Sequence, residues 1–343
     1  MAEITICGAG IFGLSIAWEC LQRGAQVTLI DPNGAASGSS GGVLGALAPH
    51  VPEAWNAKKA FQRDSLLMAE RFWREVAEAG GQDPGYARSG RLQPVADAAA
   101  LDLARSRAET ASTLWEGHAT WEVIPATGAP WEPLTPTGWL IRDTLSAHLH
   151  PRRACAALVA ALQARGCPVR AEGALKGPVI WATGLAGLDA LGATRPRPVG
   201  TGVKGQAALL GYGAVGLPQI FADTVHIVPH LDGTVAVGST SERLFDDPAS
   251  TDEQLDALID TARRALPALA AAPVLDRWAG VRPRARSRAP MLGPWPGRPG
   301  HFIANGGFKI GFGMACKVAS TMADLVLEGV DTIPQGFRVE DSF

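Results

Sequence analysis

The chain has little of several features that would place it in other protein classes. Its five cysteines are scattered and lack any Cys-x-x-Cys spacing, so a reduced, cytoplasmic compartment is the simplest interpretation. The formal net charge is only −2 and no basic run occurs, so no nucleic-acid partner is expected. No apolar run reaches the length of a bilayer span, and a strand pattern begins almost at Met1. We therefore expect neither a membrane span nor a signal peptide.

Length and composition indicate a two-domain α/β protein. At 343 residues the chain is too long for one small core. Nearly half of its residues are apolar and 40 are glycine, as is typical of a globular α/β protein with many tight turns.

The most informative motif is a strand, glycine turn, helix and strand at the start of the chain. The turn has the sequence GAGIFG over residues 8–13. Gly8 permits the tight turn, Gly10 lets the backbone approach a pyrophosphate, and Gly13 lets the helix and strand pack closely. The second strand ends at Asp31, where a carboxylate can accept hydrogen bonds from an adenosine ribose. The motif predicts a bound dinucleotide but does not distinguish FAD from NAD.

Three later stretches are candidates for the same ligand. Residues 32–43, PNGAASGSSGGV, could place many N–H groups and hydroxyls against it or form a flexible linker. Their position directly after Asp31 favours ligand contact. A buried strand over 178–184 either returns beside the first strand, with its small-residue turn against the pyrophosphate, or is an ordinary core strand. A glycine turn at 305–311 opens another helix, so we expect both chain ends to meet at one cofactor.

Several segments, in order along the whole chain, together resemble the flavin-dependent amine and D-amino-acid oxidase superfamily, which includes glycine oxidase, sarcosine oxidase and D-amino-acid dehydrogenase. The segments are GAGIFGLSIAWECLQRGAQVTLID, AASGSSGGVLGALAP, VIWATG, VKGQ, HIVPHLDGTVAVGST, WAGVRP and PMLGPWPGRPGHFIANGGFKIGFG. The resemblance implies FAD as cofactor. It also implies an α/β fold with a Rossmann-like, doubly wound FAD-binding domain and a strand-rich substrate domain. The expected FAD domain comprises 1–84, 145–204 and 275–343, and the substrate domain 85–144 and 205–274.

The resemblance also assigns cofactor contacts. No cysteine lies near 289–291, where the family's flavin-linking cysteine falls when present, so non-covalent FAD is expected. The segment between 170 and 178 is shorter than usual, which leaves the adenine contact unassigned. The implied cofactor-binding residues are Gly8, Gly10, Ile11, Phe12, Gly13, Asp31, Ser37, Gly38, Ser39, Ser40, Gly41, Gly42, Val43, Ala182, Thr183, Gly184, Gly280, Arg282, Gly306, Gly307, Phe308, Lys309 and Ile310.

Three residues are candidates for direct roles in catalysis. Arg282 in WAGVRP stands where the family holds the substrate carboxylate, and Lys309 in GFK offers a second cation. A guanidinium fork matches a carboxylate, and fixing the substrate by its charge orients it for reaction. Arginine also recurs at 284, 286 and 288, so a solvated strand face is the alternative. His226 stands where glycine oxidases carry a tyrosine, and is either a pocket residue or a core histidine. Three other histidines, His50, His230 and His301, are interpreted as structural. No metal site is predicted.

The implied activity is oxidation of a C–N bond. The substrate would be a small amino acid or N-substituted glycine, oxidised to an imine by hydride transfer to the flavin. The electron acceptor stays open between oxygen and a redox partner. One alternative is oxidation of a carboxymethylaminomethyl group on a modified tRNA uridine, because the segments AASGSSGGVLG and PMLG also resemble the oxidase half of a tRNA-wobble-uridine modifying enzyme. The other is a flavin-binding subunit without turnover.

Overall fold

The computed structural model describes residues 2–343, and most of its strands form two large sheets. The α-helices are α1 (Ile11–Gln22), α2 (Ala57–Gly80), α3 (Ala98–Leu114), α4 (Pro151–Ala164), α5 (Gly184–Gly192), α6 (Glu253–Ala265) and α7 (Gly311–Ala323). The strands, in chain order, are β1 (Glu3–Cys7), β2 (Gln26–Ile30), β3 (Ala46–Leu47), β4 (Arg91–Pro94), β5 (Trp121–Pro125), β6 (Trp139–Asp143), β7 (Ala147–His148), β8 (Val169–Arg170), β9 (Val179–Trp181), β10 (Gly200–Gly211), β11 (Gln219–Ala222), β12 (Val225–Pro229), β13 (Thr234–Gly238), β14 (Val274–Ala285), β15 (Met291–Pro294) and β16 (His301–Asn305).

The first sheet has six strands in the order β15-β16-β9-β1-β2-β8. Five of them run parallel, and β15 is an antiparallel edge strand. Strand β9 pairs directly with β1, so the expectation that the 178–184 strand returns beside the first is confirmed. Because the carboxyl ends of parallel strands share one edge, the turns after β1, β9 and β16 face the same ligand-binding crevice.

The second sheet has eight strands in the order β14-β10-β13-β12-β11-β4-β6-β5. Its pairs are antiparallel except that β4 and β11 run parallel. The alternating apolar pattern across 219–228 is typical of one strand, but the structure has the hairpin β11–β12 there. Asp223 and Thr224 cause the difference, because φ values of 48° and 66° make a tight turn between the two strands. The predicted fold class, a doubly wound sheet plus a strand-rich region, is confirmed.

The strands follow the proposed domain division except at two places. The first residues of β10, and β14 beyond 274, pair within the eight-stranded sheet, although the predicted FAD domain includes 200–204 and 275–285. These two strands therefore connect the two halves of the molecule. The domain boundaries themselves remain a prediction.

Helix α1 lies tightly against the turn that precedes it, and two glycines make this approach possible. A side-chain carbon at Gly13 would lie 1.8 Å from the carbonyl oxygen of Gly8. Gly8 itself has a φ of 106°, and a side chain there would meet the backbone of Ala182 at 2.3 Å. The glycine roles predicted from the sequence for the turn and for helix–strand packing therefore have a steric basis.

One apolar helical stretch corrects an expectation. Phe308–Glu328 spans 21 residues, and its most apolar 18-residue window has a mean hydropathy of 1.4. By length and composition it could therefore cross a membrane, although no run of that kind was expected. Half of its most apolar window is buried inside the fold, and α7 packs against α1 and α2. Met314, Val318 and Met322 are fully buried in the main hydrophobic core, which accounts for the apolar composition.

The close approach at Gly13 yields a prediction for stability. Gly13→Ala should lower the free energy of unfolding by about 2 kcal/mol or more, because the new methyl overlaps a backbone carbonyl that cannot rotate away. Gly313→Ala is the matched control, since it also adds a methyl within a helix but its nearest neighbour lies 3.7 Å away. That control should stay within about 1 kcal/mol of the wild type. Urea unfolding measures both, and equal stabilities would contradict the steric argument.

Candidate functional site

A cavity of about 1050 Å³ lies where the predicted segments converge. It is lined by the GAGIFG turn, the Gly/Ser loop, the turn after β9, strand β14 and the turn after β16. The two glycine turns from opposite ends of the chain thus face one cavity, as expected. The predicted residues that line it are Gly8, Gly10, Ile11, Phe12, Asp31, Ser37, Gly38, Ser39, Ser40, Gly42, Ala182, Thr183, Gly184, His226, Arg282, Gly306, Gly307, Phe308 and Lys309.

Five predicted contact residues do not line the cavity but shape its walls. Gly41 has no room for a side chain, because one would lie 2.5 Å from the carbonyl oxygen of Ala36. Gly280 also has no room for a side chain, because a side-chain carbon there would lie 2.4 Å from the indole of Trp278. Val43 is fully buried in a small apolar cluster behind the loop. The remaining two are Gly13 and Ile310.

The amino end of α1 faces the cavity with free hydrogen-bond donors. Gly10 precedes the helix and, having no side chain, makes no capping hydrogen bond of its own. The Ile11 N–H donates to Ser40 Oγ at 3.0 Å, which fixes the Gly/Ser loop against the helix. A side chain at Gly10 would lie 3.2 Å from the same hydroxyl, so glycine keeps this entrance open. Unpaired N–H groups and the helix dipole make this an anion site.

Asp31 has a second role that the sequence did not reveal. Its Oδ2 accepts a hydrogen bond from the Ala9 N–H at 2.8 Å, and its Oδ1 accepts one from the Asn33 N–H at 2.9 Å. The carboxylate therefore holds the glycine turn in shape. Each oxygen has a further lone pair, so the predicted ribose contact remains available.

Arg282 is a buried cation whose donors are only partly used. Its side chain comes from β14 and lines the cavity. Nη1 donates to Ser239 Oγ at 2.8 Å, and Nη2 donates to the carbonyl oxygens of Lys204 and Thr240 at 3.2 and 2.6 Å. Nε is buried and has no partner among residues 2–343. Burial lowers the pKa of Arg282 to about 10, so the group stays charged at neutral pH.

The neighbouring strand β10 leaves space for the Arg282 guanidinium. A side-chain carbon at Gly205 of β10 would lie 2.1 Å from Arg282 Nη2, so only glycine leaves the space. The same VKGQ segment supplies the Lys204 carbonyl that accepts from Arg282, and its Gln206 donates to Glu242 at 3.0 Å. The segment therefore forms the wall against which the Arg282 guanidinium packs. The alternating arginines are consequently not one solvated face, because Arg282 is buried whereas Arg286 and Arg288 are exposed.

Two further cations surround Phe308 beside Arg282. Lys309 Nζ lies 5.9 Å, and Arg284 Cζ 5.2 Å, from the centre of the Phe308 ring. The Lys309 side chain is exposed to the cavity and also lines a shallow second opening. Partial desolvation and then the charges of Arg282 and Arg284 lower its pKa. This end of the cavity is electropositive.

His226 lines the cavity as a neutral imidazole. Its ring lies 4.6 Å from that of Phe221, and its Nδ1 is enclosed without a partner among the described side chains. Desolvation, with the charges of Arg91 and Lys309, lowers its pKa to about 3. The ring is open to the cavity rather than to bulk water. This explains why the pKa of a partly accessible histidine is lowered so strongly. Of the two interpretations left open by the sequence, the structure favours the pocket residue over the core histidine.

Sequence reasoning missed several lining residues. Trp278 and Ser239 lie within the quoted WAGVRP and GST segments, so those segments contained the signal. Glu172 and Gly173 also line the cavity, in the short segment where no adenine contact could be assigned. No periodicity or motif marks that segment, because its position depends on the pairing of β8 with β2.

The comparison with known proteins identifies the family. The family model for DAO, FAD dependent oxidoreductase, matches residues 3–325. The chain belongs to the DAO family of FAD-dependent oxidoreductases. It is similar, with 26% identity over 95% of its length, to the bifunctional protein ThiO/ThiG of Nostoc sp., and it spans about half (53%) of that relative. It is 24% identical to the glycine oxidase of Geobacillus kaustophilus, covering 94% of this chain and 92% of that protein.

Solved structures agree on the fold of this DAO-family chain. Iminodiacetate oxidase from Chelativorans sp. BNC1 superposes with a TM-score of 0.85, at 22% identity and 98% coverage of both chains. A glycine oxidase from Bacillus cereus gives a TM-score of 0.81 at 18% identity, covering 96% of each chain. At these identities the likeness establishes the fold.

The cofactor of this DAO-family enzyme is FAD, and the residues present fit it. The amino end of α1, preceded by a glycine that leaves the backbone accessible, suits a pyrophosphate. Asp31 retains acceptor capacity for a ribose, and the turns after β9 and β16 add backbone contacts. Which of these residues touch the cofactor, and whether it is non-covalent, remain predictions.

The neutral state of His226 predicts a pH dependence of stability. Its pKa falls from 6.5 in the unfolded chain to about 3 in the folded one. Below about pH 6.5 the unfolded chain therefore binds a proton that the folded chain excludes, and folding weakens as the pH falls. His226→Asn should reduce this slope between pH 6 and 4 by about 1 kcal/mol per pH unit.

Chemical unfolding at a series of pH values measures that slope. The exposed His118, changed to asparagine, is the matched control and should leave the slope as in the wild type. An unchanged slope in His226→Asn would show that the ring titrates normally.

Proposed function

We propose that this FAD-dependent oxidoreductase oxidises the C–N bond of glycine or of a small N-substituted glycine to an imine, which water then hydrolyses. The observation that carries the proposal is the concentration of positive charge at one end of the cavity. Arg282 and Lys309 both reach that end, and in the described part of the chain neither donates a hydrogen bond to a carboxylate.

The electrostatics of Arg282 favour an anionic substrate. A buried cation is costly unless a charge or strong acceptors compensate it. Glu242 raises the pKa of Arg282 through space, but it lies 3.6 Å from Lys204 and is shared with that residue. Nη1 donates only one of its two N–H groups, to Ser239, so the other is left for a substrate carboxylate. Because two carbonyl oxygens already hold Nη2, the guanidinium is fixed in place before the substrate binds.

The remaining residues define how such a substrate would lie. Arg282 and Lys309 would hold its carboxylate, which orients the α-carbon and converts the reaction to an intramolecular one. His226 is neutral and contributes a hydrogen-bonding group without adding a third charge near the substrate nitrogen. When bound, FAD supplies the hydride acceptor. The Lys309 ammonium would also favour negative charge that develops nearby during the reaction.

The names of the relatives support the same substrate class. The Geobacillus relative is a glycine oxidase, and the Chelativorans structure is an iminodiacetate oxidase. A shared feature of glycine and iminodiacetate is a carboxylate one carbon from the nitrogen. That is the feature a single fixed guanidinium can recognise.

Anaerobic reduction of the flavin by a panel of amines tests the proposal. Glycine, sarcosine, iminodiacetate and the alanine enantiomers should include at least one donor that bleaches the flavin absorption of the wild type. Arg282→Ala should lower kcat/KM for that donor by about 100-fold or more, because the carboxylate loses a charge-assisted partner. Arg286→Ala is the matched control, since this arginine follows in the same run but is exposed. Flavin content shows whether each variant has folded.

Other outcomes of the same panel would favour the alternatives. Bleaching only by a tRNA that carries a carboxymethylaminomethyl uridine would favour the RNA substrate. A local similarity, 35% over 74 residues, to the tRNA-modifying bifunctional protein MnmC of Psychrobacter sp. motivates that arm. The near-neutral charge and lack of a basic run argue against it. Failure of every donor would favour a flavin-binding subunit without turnover.

Lys309 yields a separate kinetic prediction. Lys309→Met keeps the length of the side chain but removes its charge, so the substrate carboxylate loses the more distant of its two cations. We expect KM for the best donor to rise by about 10-fold, with a smaller effect on kcat, because an exposed charge acts mainly on binding. Stopped-flow reduction at varied substrate concentration separates the two constants. A variant with unchanged KM would remove Lys309 from the carboxylate site.

A further inference from the structure

A cluster of histidines lies outside the cavity, and the chemistry described so far does not use it. His150 immediately precedes α4, and His230 and Asp232 belong to the turn between β12 and β13. One ligand atom from each of the three lies within 4.8 Å of the other two. The rings of His150 and His230 are 4.5 Å apart, and both side chains are buried, with 7% and 1% exposed. Residues far apart in the sequence thus bring three donors together.

A hydrogen-bond relay fixes the tautomer of His230. Thr234 Oγ1 donates to Asp232 Oδ1 at 2.7 Å, so this hydroxyl has its lone pairs free for another donor. His230 Nδ1 lies 3.0 Å from the same oxygen and must therefore carry the proton that it donates. His230 Nε2 is consequently an unprotonated nitrogen with a free lone pair. It is buried and has no partner among the residues described.

This relay is the arrangement that orients metal-binding histidines. Such histidines usually donate their second ring N–H to a carboxylate, carbonyl or hydroxyl, which fixes the ring and leaves the other nitrogen for the metal. His150 adds a second buried nitrogen, Nδ1, that lacks a partner within residues 2–343. Asp232 keeps Oδ2 free, because only its Oδ1 accepts from Thr234. Two imidazole nitrogens and one carboxylate oxygen are a ligand set typical of zinc.

Nearby positive charges are paired and do not oppose a cation. Arg153 lies close enough to affect His150 and His230, but its Nη2 forms an ion pair with Asp83 at 2.9 Å. Arg152 likewise pairs with Asp276 at 2.7 Å. Asp83 and Asp276 are thus paired with arginines. Asp232 is the carboxylate beside the two rings that remains available to a cation.

We propose that His150, His230 and Asp232 form a binding site for a divalent transition-metal ion of the Zn²⁺ type. Ligand atoms around a tetrahedral zinc lie about 3.4 Å apart. The three ligand atoms here lie within 4.8 Å of one another, so they must approach each other by roughly an ångström to bind the ion. Small rotations of all three side chains would supply that closure. Bound metal joins the β12–β13 turn of the eight-stranded sheet to the start of α4, whose first residue, Pro151, lines the FAD cavity. The ion is a structural tie between the two halves of the enzyme.

Zinc titration of the FAD-loaded enzyme tests this site. After treatment with a chelator and its removal, the wild type should bind one Zn²⁺ per chain with a Kd of about 10 µM or tighter, measured against a chromophoric chelator. His230→Asn should weaken binding by about 100-fold, and Asp232→Asn and Thr234→Val by about 10-fold each. His118→Asn, on the exposed surface, is the control and should bind as the wild type does. Zinc should also raise the unfolding temperature of the wild type but not that of His230→Asn.

The outcomes separate a built site from adventitious binding. No stoichiometric zinc binding by the wild type, or equal affinities in the wild type and His230→Asn, would overturn the proposal. If His230→Asn loses its flavin and is misfolded, Asp232→Asn decides the matter, because that side chain is exposed and its loss does not disturb the core. Normal affinity in Asp232→Asn would then count against the site.

Discussion

Burying a guanidinium against the cavity wall is the constraint on which much of this molecule depends. Arg282 is held by two backbone carbonyls and a hydroxyl, and in the part of the chain described no carboxylate bonds to it. The cost of that desolvation appears in the lowered pKa of Arg282. Gly205 leaves room for the group, and the GST turn after β13 supplies Ser239 and Thr240. The segments VKGQ, GST and WAGVRP therefore all contribute to the surroundings of one buried cation.

The other end of the cavity relies on backbone rather than side chains. The turn after β1, the start of α1 and the turn after β9 present main-chain groups, and Asp31 holds the first of them in place. The close approach of Gly13 to the Gly8 carbonyl fixes how near the helix comes to the strand. This explains why the motif specifies glycines so strictly: the contacts belong to the peptide backbone, and any side chain would block them.

The two halves of the site meet through the long strands β10 and β14. Arg282 and Trp278 reach the cavity from the same strand, and the backbone of Arg284 bridges to Gly307 in the C-terminal turn. The eight-stranded sheet thus brings its cations to the edge of the parallel sheet, where the turns collect. Such an arrangement suits a small anion held at the end of an extended cofactor site. The family assignment and this charge distribution independently support the same class of reaction.

The local pattern of the sequence was sufficient to predict a dinucleotide-binding turn, whereas FAD itself came from the family resemblance. The glycine spacing, the acid at 31 and the apolar runs predict the individual strands and turns, because those features depend on neighbours in the chain. The pairing of β9 with β1 joins distant segments, and the sequence left it open. Resemblance to a family added Arg282, Lys309 and His226, which no periodicity marks as functional.

Long-range contacts decided the rest. The hairpin turn at Asp223 and Thr224, the second role of Asp31 and the lining by Glu172 depend on packing across the chain. The same is true of the proximity of His150 to His230, because the sequence analysis interpreted His230 as structural and did not single out His150. The sequence by itself determined which residue types were present at the turns. Only the tertiary structure decided which of them are desolvated and share an environment, because burial and electrostatic coupling depend on distances that local patterns do not encode.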